Sequence, residues 1–134
     1  MANAKILIVD DNPIVLDSCK RVFEAEGFEV CVVPSADQAL KEMKNSIFDI
    51  LLIDIKMPER DGMYLIRAVK KQWPEVPIVV MSGYPTPETI AEGLKLGAEE
   101  FIAKPFTPDE LLKIVRQVLR RRKGHESKKS SGDR

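Results

Sequence analysis

Several short apolar runs in this chain end in residues that could do chemistry. Lys5-Ile6-Leu7-Ile8-Val9 runs into Asp10 and Asp11, Ile50-Leu51-Leu52-Ile53 into Asp54, Pro77-Ile78-Val79-Val80-Met81 into Ser82, and Glu100-Phe101-Ile102-Ala103 into Lys104. A carboxylate at the end of a buried strand is costly to desolvate, so Asp54 alone reads equally as a solvated loop residue or a ligand-facing one. If the first and third strands are neighbours, Asp10, Asp11 and Asp54 converge. Two such charges about 5 Å apart repel by ~3 kcal/mol at an effective dielectric near 20, which calls for a cation. An all-oxygen donor set favours Mg²⁺, and no His or Cys stands at a spacing that would favour zinc. A carboxylate left to reach phosphorus makes phosphoryl transfer to Asp54 a coherent reaction class, with Lys104 offering positive charge and Ser82 a hydroxyl. Singly, Ser82-Gly83 reads as a turn and Lys104 as a solvated lysine; four strand ends in register do not.

The elements that must position these residues alternate five times. Runs rich in Ile, Val and Leu, too short for helices, read as strands buried on both faces. The first helix starts at Asn12-Pro13, runs to about Glu26 with Val15, Leu16, Cys19, Val22 and Phe23 at helical spacing, and is closed by Gly27. Phe28–Val33 is a second strand, and Ser35 with Gln38 caps a second helix that ends near Asn45. A third helix from about Met63 to Gln72 stops before Trp73-Pro74. A fourth opens at Thr86-Pro87-Glu88 and carries Gly93, which weakens it by about 1 kcal/mol relative to Ala. The fifth follows Thr107-Pro108-Asp109-Glu110, with Leu111, Leu112, Val115, Val118 and Leu119 facing inward. Short connections and right-handed crossovers imply an α/β, doubly wound, five-stranded parallel sheet. The order 2-1-3-4-5 is taken from known folds of this kind and the resemblance below.

At 134 residues the chain is long enough for one domain with a real core. No apolar run approaches a membrane span and no signal-peptide layout is present, so a cytoplasmic location is expected. Cys19 and Cys31 are expected to be reduced thiols. The formal charge of zero conceals an acidic body and a basic end. Residues 1–119 hold 14 Lys and Arg against 19 Asp and Glu, while residues 120–134 hold 7 against 2. Residues 1–122 are expected to form the domain. Residues 123–134, without a large apolar side chain, are expected to be a disordered tail or the start of a linker. His125 there reads as an inert tail residue.

Four stretches carry a family resemblance: Ile6-Leu7-Ile8-Val9-Asp10-Asp11-Asn12, Asp54-x-x-Met57-Pro58-x-x-Asp61-Gly62, Val80-Met81-Ser82-Gly83 and Lys104-Pro105-Phe106. In this order, over about residues 4–121, they resemble the signatures of the response-regulator receiver domain of two-component signalling. The resemblance implies a flavodoxin-like fold and a phosphorylation-activated switch rather than an enzyme acting on a separate substrate. Asp54 would accept a phosphoryl group from a phosphohistidine on a sensor histidine kinase or phosphotransfer protein. Asp11, Asp54 and the Lys56 carbonyl would bind Mg²⁺, with Asp10 acting through a metal-bound water. Ser82 and Lys104 would contact the phosphoryl group, and Phe101 would swing inward on activation. A cis bond before Pro105 is implied. Output would pass through the fourth helix, fifth strand and fifth helix, with Glu92, Lys95, Glu99, Lys113 and Arg116 as rim charges, to a downstream protein or output domain. The family gives no reason to expect nucleic acid as a partner of this domain alone.

Two departures from the family pattern stand out. Glu59-Arg60 replaces smaller and apolar residues, and Lys56 and Tyr84 line the route to the phosphoryl group, where their bulk would hinder water and prolong the phosphorylated state. Two rivals carry distinct sequence requirements. A Mg²⁺-dependent phosphatase of the haloacid dehalogenase type needs a second Asp two residues beyond the nucleophile, where this chain has Lys56. A docking-only pseudo-receiver would lack acidic or lysine positions that are all present here.

Overall fold

The structure, a computed structural model, describes residues 4–55, 62–83 and 86–132, the stretch 122–132 as backbone only. Five strands alternate with five helices: β1 Lys5–Val9, α1 Pro13–Ala25, β2 Glu29–Val33, α2 Ala36–Asn45, β3 Ile50–Asp54, α3 Gly62–Gln72, β4 Ile78–Ser82, α4 Pro87–Leu96, β5 Glu100–Ala103 and α5 Pro108–Gly132. The strands form one parallel sheet in the expected order β2-β1-β3-β4-β5.

Alternation along the central strands divides the core in two. Leu7, Val9, Leu51, Ile53, Ile78 and Val80 face α2, α3 and the end of α4, while Ile6, Ile8, Ile50, Leu52, Val79 and Met81 face α1 and α5. All twelve side chains are fully buried. This explains why these strands read as unbroken apolar runs: helices cover both sheet faces, so no polar alternation is needed. Each such side chain contributes on the order of 1.5–3 kcal/mol by leaving water.

Caps fix where the helices begin. The Asn12 side chain accepts the Ile14 backbone N–H at 2.9 Å, and Ser35 Oγ accepts that of Gln38 at 3.2 Å. Before α5 the exchange is reciprocal: Glu110 Oε1 accepts the Thr107 N–H at 2.8 Å, and Thr107 Oγ1 accepts the Glu110 N–H at 3.1 Å. Thr86 Oγ1 caps α4 at 3.2 Å, and Gly97 ends that helix at φ 117°, a left-handed conformation suited to glycine. Within α4 only Gly93 is buried, so this helix rests on the core without inserting a large side chain.

The backbone of α5 continues as helix past Arg122 to Gly132. Lys, Arg and Glu are good helix formers and no proline interrupts the segment, so local propensity favours continuation even without a core to bury.

Candidate functional site

The parallel arrangement brings the carboxyl ends of the strands to one edge. Asp54 is the last residue of β3 and Ser82 the last of β4, while Asp10 follows β1 and Lys104 follows β5. β1 and β3 are direct neighbours, with Val9 opposite Ile53. Carboxylate oxygens of Asp10, Asp11 and Asp54 consequently lie within 4.8 Å of one another.

The three carboxylates differ in environment. Asp10 is fully buried; its Oδ1 accepts the Asn12 N–H at 2.9 Å, and its backbone N–H reaches Val33 at 3.2 Å. Asp54 is 4 % exposed, and Asp11 is exposed at the rim. Lys104 completes the cluster. Its Nζ donates to Asp10 Oδ2 at 2.8 Å and to Asp54 Oδ2 at 3.3 Å. Burial alone would pull the Lys104 pKa down. The hydrogen bond and charge of Asp10, joined by those of Asp54, outweigh it and raise the pKa above its ordinary value. The ammonium is thus held in its charged form as partial compensation for the carboxylates.

Backbone contacts seat the site. The Lys104 N–H donates to the Ser82 carbonyl at 2.7 Å, tying the end of β5 to the end of β4, and the Ile55 N–H donates to the Met81 carbonyl at 3.2 Å. The Lys104–Pro105 peptide is cis, as the resemblance implies. Gly62 is required by proximity: a Cβ there would stand 2.5 Å from Ile55 Cα and 2.7 Å from the Asp54 carbonyl oxygen. Ser82 is fully buried. Phe101 is half-buried and packs on the α3 and α4 side of the sheet, its ring 3.9 Å from where a Cβ on Gly93 would sit. Lys56, Glu59, Arg60 and Tyr84 lie outside the described residues.

Asp10, Asp11, Asp54 and Lys104 therefore meet, with Ser82 at the end of the adjoining strand. Sequence reasoning missed the adjoining surface. Beside Lys104, a cavity of about 350 Å³ is lined mostly by apolar groups, among them Ile14, Val15, Pro105 and Phe106. Ile14 is 74 % exposed. Its one available signal is that it falls off the inward stripe of α1 formed by Leu16, Cys19 and Phe23.

The family model for the response regulator receiver domain matches residues 6–116. The chain belongs to that family. This receiver domain is 34 % identical over 118 residues to the response regulator SaeR of Staphylococcus aureus; it spans about half, 51 %, of that curated relative's length and 88 % of its own. Among solved structures, it matches a CheY-like receiver domain protein of Methanospirillum hungatei JF-1 with a TM-score of 0.89 at 33 % identity, covering 92 % of this chain and 99 % of that one. It also matches the Vibrio cholerae chemotaxis protein CheY4 with a TM-score of 0.85 at 31 % identity, covering 87 % and 99 %. The receiver domain is thus that of a two-component response regulator. Among the described residues, no helix is long and apolar enough to cross a membrane.

Proposed function

We propose that this receiver domain is a phosphorylation-activated switch whose acceptor is Asp54. An Asp54 carboxylate oxygen bonds to phosphorus as the P–N bond to a sensor-kinase or phosphotransfer-protein histidine breaks. The imidazole leaves with the electron pair and takes up a proton, and Asp54 becomes an acyl phosphate. The observation that carries this reading is the cluster itself: three carboxylates within 4.8 Å at the strand ends, with Lys104 Nζ placed between Asp10 and Asp54.

The donor set fits Mg²⁺, since the clustered side chains offer only oxygen and one of them is exposed at the rim. Asp10, Asp11 and Asp54 would hold the ion, and the Lys56 carbonyl, outside the described residues, would join them. When bound, Mg²⁺ neutralises charge on the phosphoryl oxygens. Lys104 transfers its ammonium from the Asp54 carboxylate to a phosphoryl oxygen, and the Ser82 hydroxyl donates to another. The domain catalyses only its own phosphorylation and dephosphorylation.

The response passes from Ser82 to Phe101. Phosphorylation adds about 1.5 to 2 negative charges; Ser82 moves toward them, Phe101 fills the space, and α4 shifts. The shallow seat of α4, with Gly93 as its only buried residue, supports this as the element that yields. Output then passes through α4, β5 and α5 to a downstream protein or output domain. Of the rim charges, Arg116 is paired with Glu26 beyond α1, which favours Glu92, Lys95, Glu99 and Lys113 as the contacts. The apolar cavity at Ile14, next to Lys104, offers the donor protein a surface within reach of the acceptor.

Incubation with acetyl phosphate and Mg²⁺ followed by intact mass tests this reading. One phosphoryl adduct is expected, lost in Asp54→Asn and with chelator. The absence of an adduct from both acetyl phosphate and a phosphorylated donor would return the chain to the docking-only alternative.

A further inference from the structure

One polar residue beside the carboxylate cluster has no part in phosphoryl transfer as derived above. Asn12 follows Asp10 and Asp11 directly, and it holds the chain on both sides of Asp11. Upstream, its backbone N–H donates to Asp10 Oδ1 at 2.9 Å. Downstream, its side-chain Oδ1 accepts the Ile14 N–H at 2.9 Å and its carbonyl accepts the Leu16 N–H at 3.1 Å, which begins α1. Two turns of the kind that an Asp or Asn side chain closes with the N–H two residues on therefore follow one another. Asp11 is the middle residue of the first and abuts the second. Pro13 confines Asn12 to extended backbone, observed at φ −92° and ψ 111°, but that region is broad, and the side-chain bond selects within it.

We propose that Asn12 is a positioning residue for the cation site, acting through Asp11 by holding that carboxylate where it can meet Asp10 and Asp54. The proposal rests on the reading of these carboxylates as a Mg²⁺ site. Asp11 needs such support more than its partners do. Asp10 is fully buried and Asp54 nearly so, and packing fixes both, whereas Asp11 is exposed. Repulsion from the other two carboxylates, which lie within 4.8 Å, favours any rotation or backbone shift that carries Asp11 away into water. The side chain can still turn, but a backbone pinned at Asp10 and at Asn12 removes the second route. The ordering of the third carboxylate is then completed when the chain folds rather than when the cation binds, which favours binding. A residue that only capped a helix, as Ser35 caps α2, would have no such effect.

Titration calorimetry of the full chain with Mg²⁺ at fixed ionic strength tests the proposal. Asn12→Ala is expected to raise the Mg²⁺ dissociation constant by about tenfold, the lower range for losing a residue that orients a metal ligand. With acetyl phosphate, the Mg²⁺ concentration for half-maximal phosphorylation should rise by the same factor, while the rate at saturating Mg²⁺ stays within about twofold of the parent. Asn12→Ser, which can close the same turn more weakly, should recover most of the affinity. Ser35→Ala removes the corresponding cap from α2 and should lower stability alone, leaving the Mg²⁺ dissociation constant unchanged. Asn12→Gly removes the same acceptor at little cost to a helix start, so it should weaken Mg²⁺ binding like Asn12→Ala and replaces that variant if it fails to fold. In an Asp11→Asn background, Asn12→Ala should change the dissociation constant by no more than about twofold, because the residue it acts through is gone. An unchanged dissociation constant in both Asn12→Ala and Asn12→Gly, in a parent that binds Mg²⁺, would overturn the proposal and leave the cation site standing. The full loss persisting in the Asp11→Asn background would overturn it as well, by showing that Asn12 does not act through Asp11. A parent that binds no Mg²⁺ would overturn the cation reading and this proposal with it.

Discussion

Lys104 Nζ, at the end of one edge strand, lies 2.8 Å from Oδ2 of the fully buried Asp10 at the end of a central strand. The pair joins strands that are not neighbours, across β3 and β4. Lys104→Met leaves Asp10 buried with only the Asn12 N–H among these partners. A cost of roughly 3 kcal/mol is expected, the lower range for breaking a buried pair, because the lysine side chain is 22 % exposed. Urea unfolding with and without Mg²⁺ checks this: a cation replaces part of the lost charge, so Mg²⁺ should stabilise the variant more than the parent. The pH sign is fixed by the raised pKa of Lys104. Its contribution is fully present below the ordinary value of 10.5 and is lost as pH rises through the higher folded-state value.

Asp11 gives the cleanest test of the cation site because it is exposed, so Asp11→Asn removes a candidate ligand without opening the core. In the parent, Mg²⁺ at one hundred times its dissociation constant should add ~2.7 kcal/mol to stability. Asp11→Asn should lose most of this gain while keeping its stability in chelator, as thermal unfolding at fixed ionic strength will show.

Gly62 and Gly83 make a matched pair. A Cβ on Gly62 would meet the backbone at Ile55 Cα and the Asp54 carbonyl, atoms that cannot yield without displacing the acceptor. Gly62→Ala should cost about 2 kcal/mol or more and slow phosphorylation by acetyl phosphate. A Cβ on Gly83 would meet nothing within 4 Å, so Gly83→Ala should change stability by no more than ~0.5 kcal/mol. Equal losses in the two variants would show that proximity is not the constraint at Gly62.

These contrasts also mark what the sequence made legible. The central strands could be read because helices on both faces demand unbroken Ile, Val and Leu, and the helix starts because Asn12, Ser35, Thr86 and Thr107 each cap their own backbone nearby. Convergence of Asp10, Asp11, Asp54 and Lys104 could be anticipated only once a strand order was borrowed, since spacing along the chain does not say which strands are neighbours. Two features escaped. The exposure of Ile14 depends on a surface built from distant segments, and the steric demand on Gly62 arises because the start of α3 lies against the end of β3.

Cys19 supplies an alkaline test that does not depend on phosphorylation. It is buried on α1, and burial, reinforced by the nearby charge of Asp10 and opposed by Lys104, raises its pKa from 9.0 to about 11. The folded state keeps the thiol protonated while the unfolded chain releases the proton. Stability is therefore unaffected below pH 9 and falls between about pH 9 and 11, by roughly 2–3 kcal/mol in all. Cys19→Ala should remove that slope at some cost in packing that does not vary with pH. Urea midpoints measured from neutral to alkaline pH distinguish the two effects, and the decline that survives in Cys19→Ala should be the smaller one from Cys31, whose pKa burial also raises above 9.0, joined above 10.5 by that of Lys104. A thiol reagent at mildly alkaline pH should correspondingly reach the half-buried Cys31 before Cys19, which should react at the rate of global unfolding. Equal labelling of both thiols in the folded protein would show that α1 opens locally.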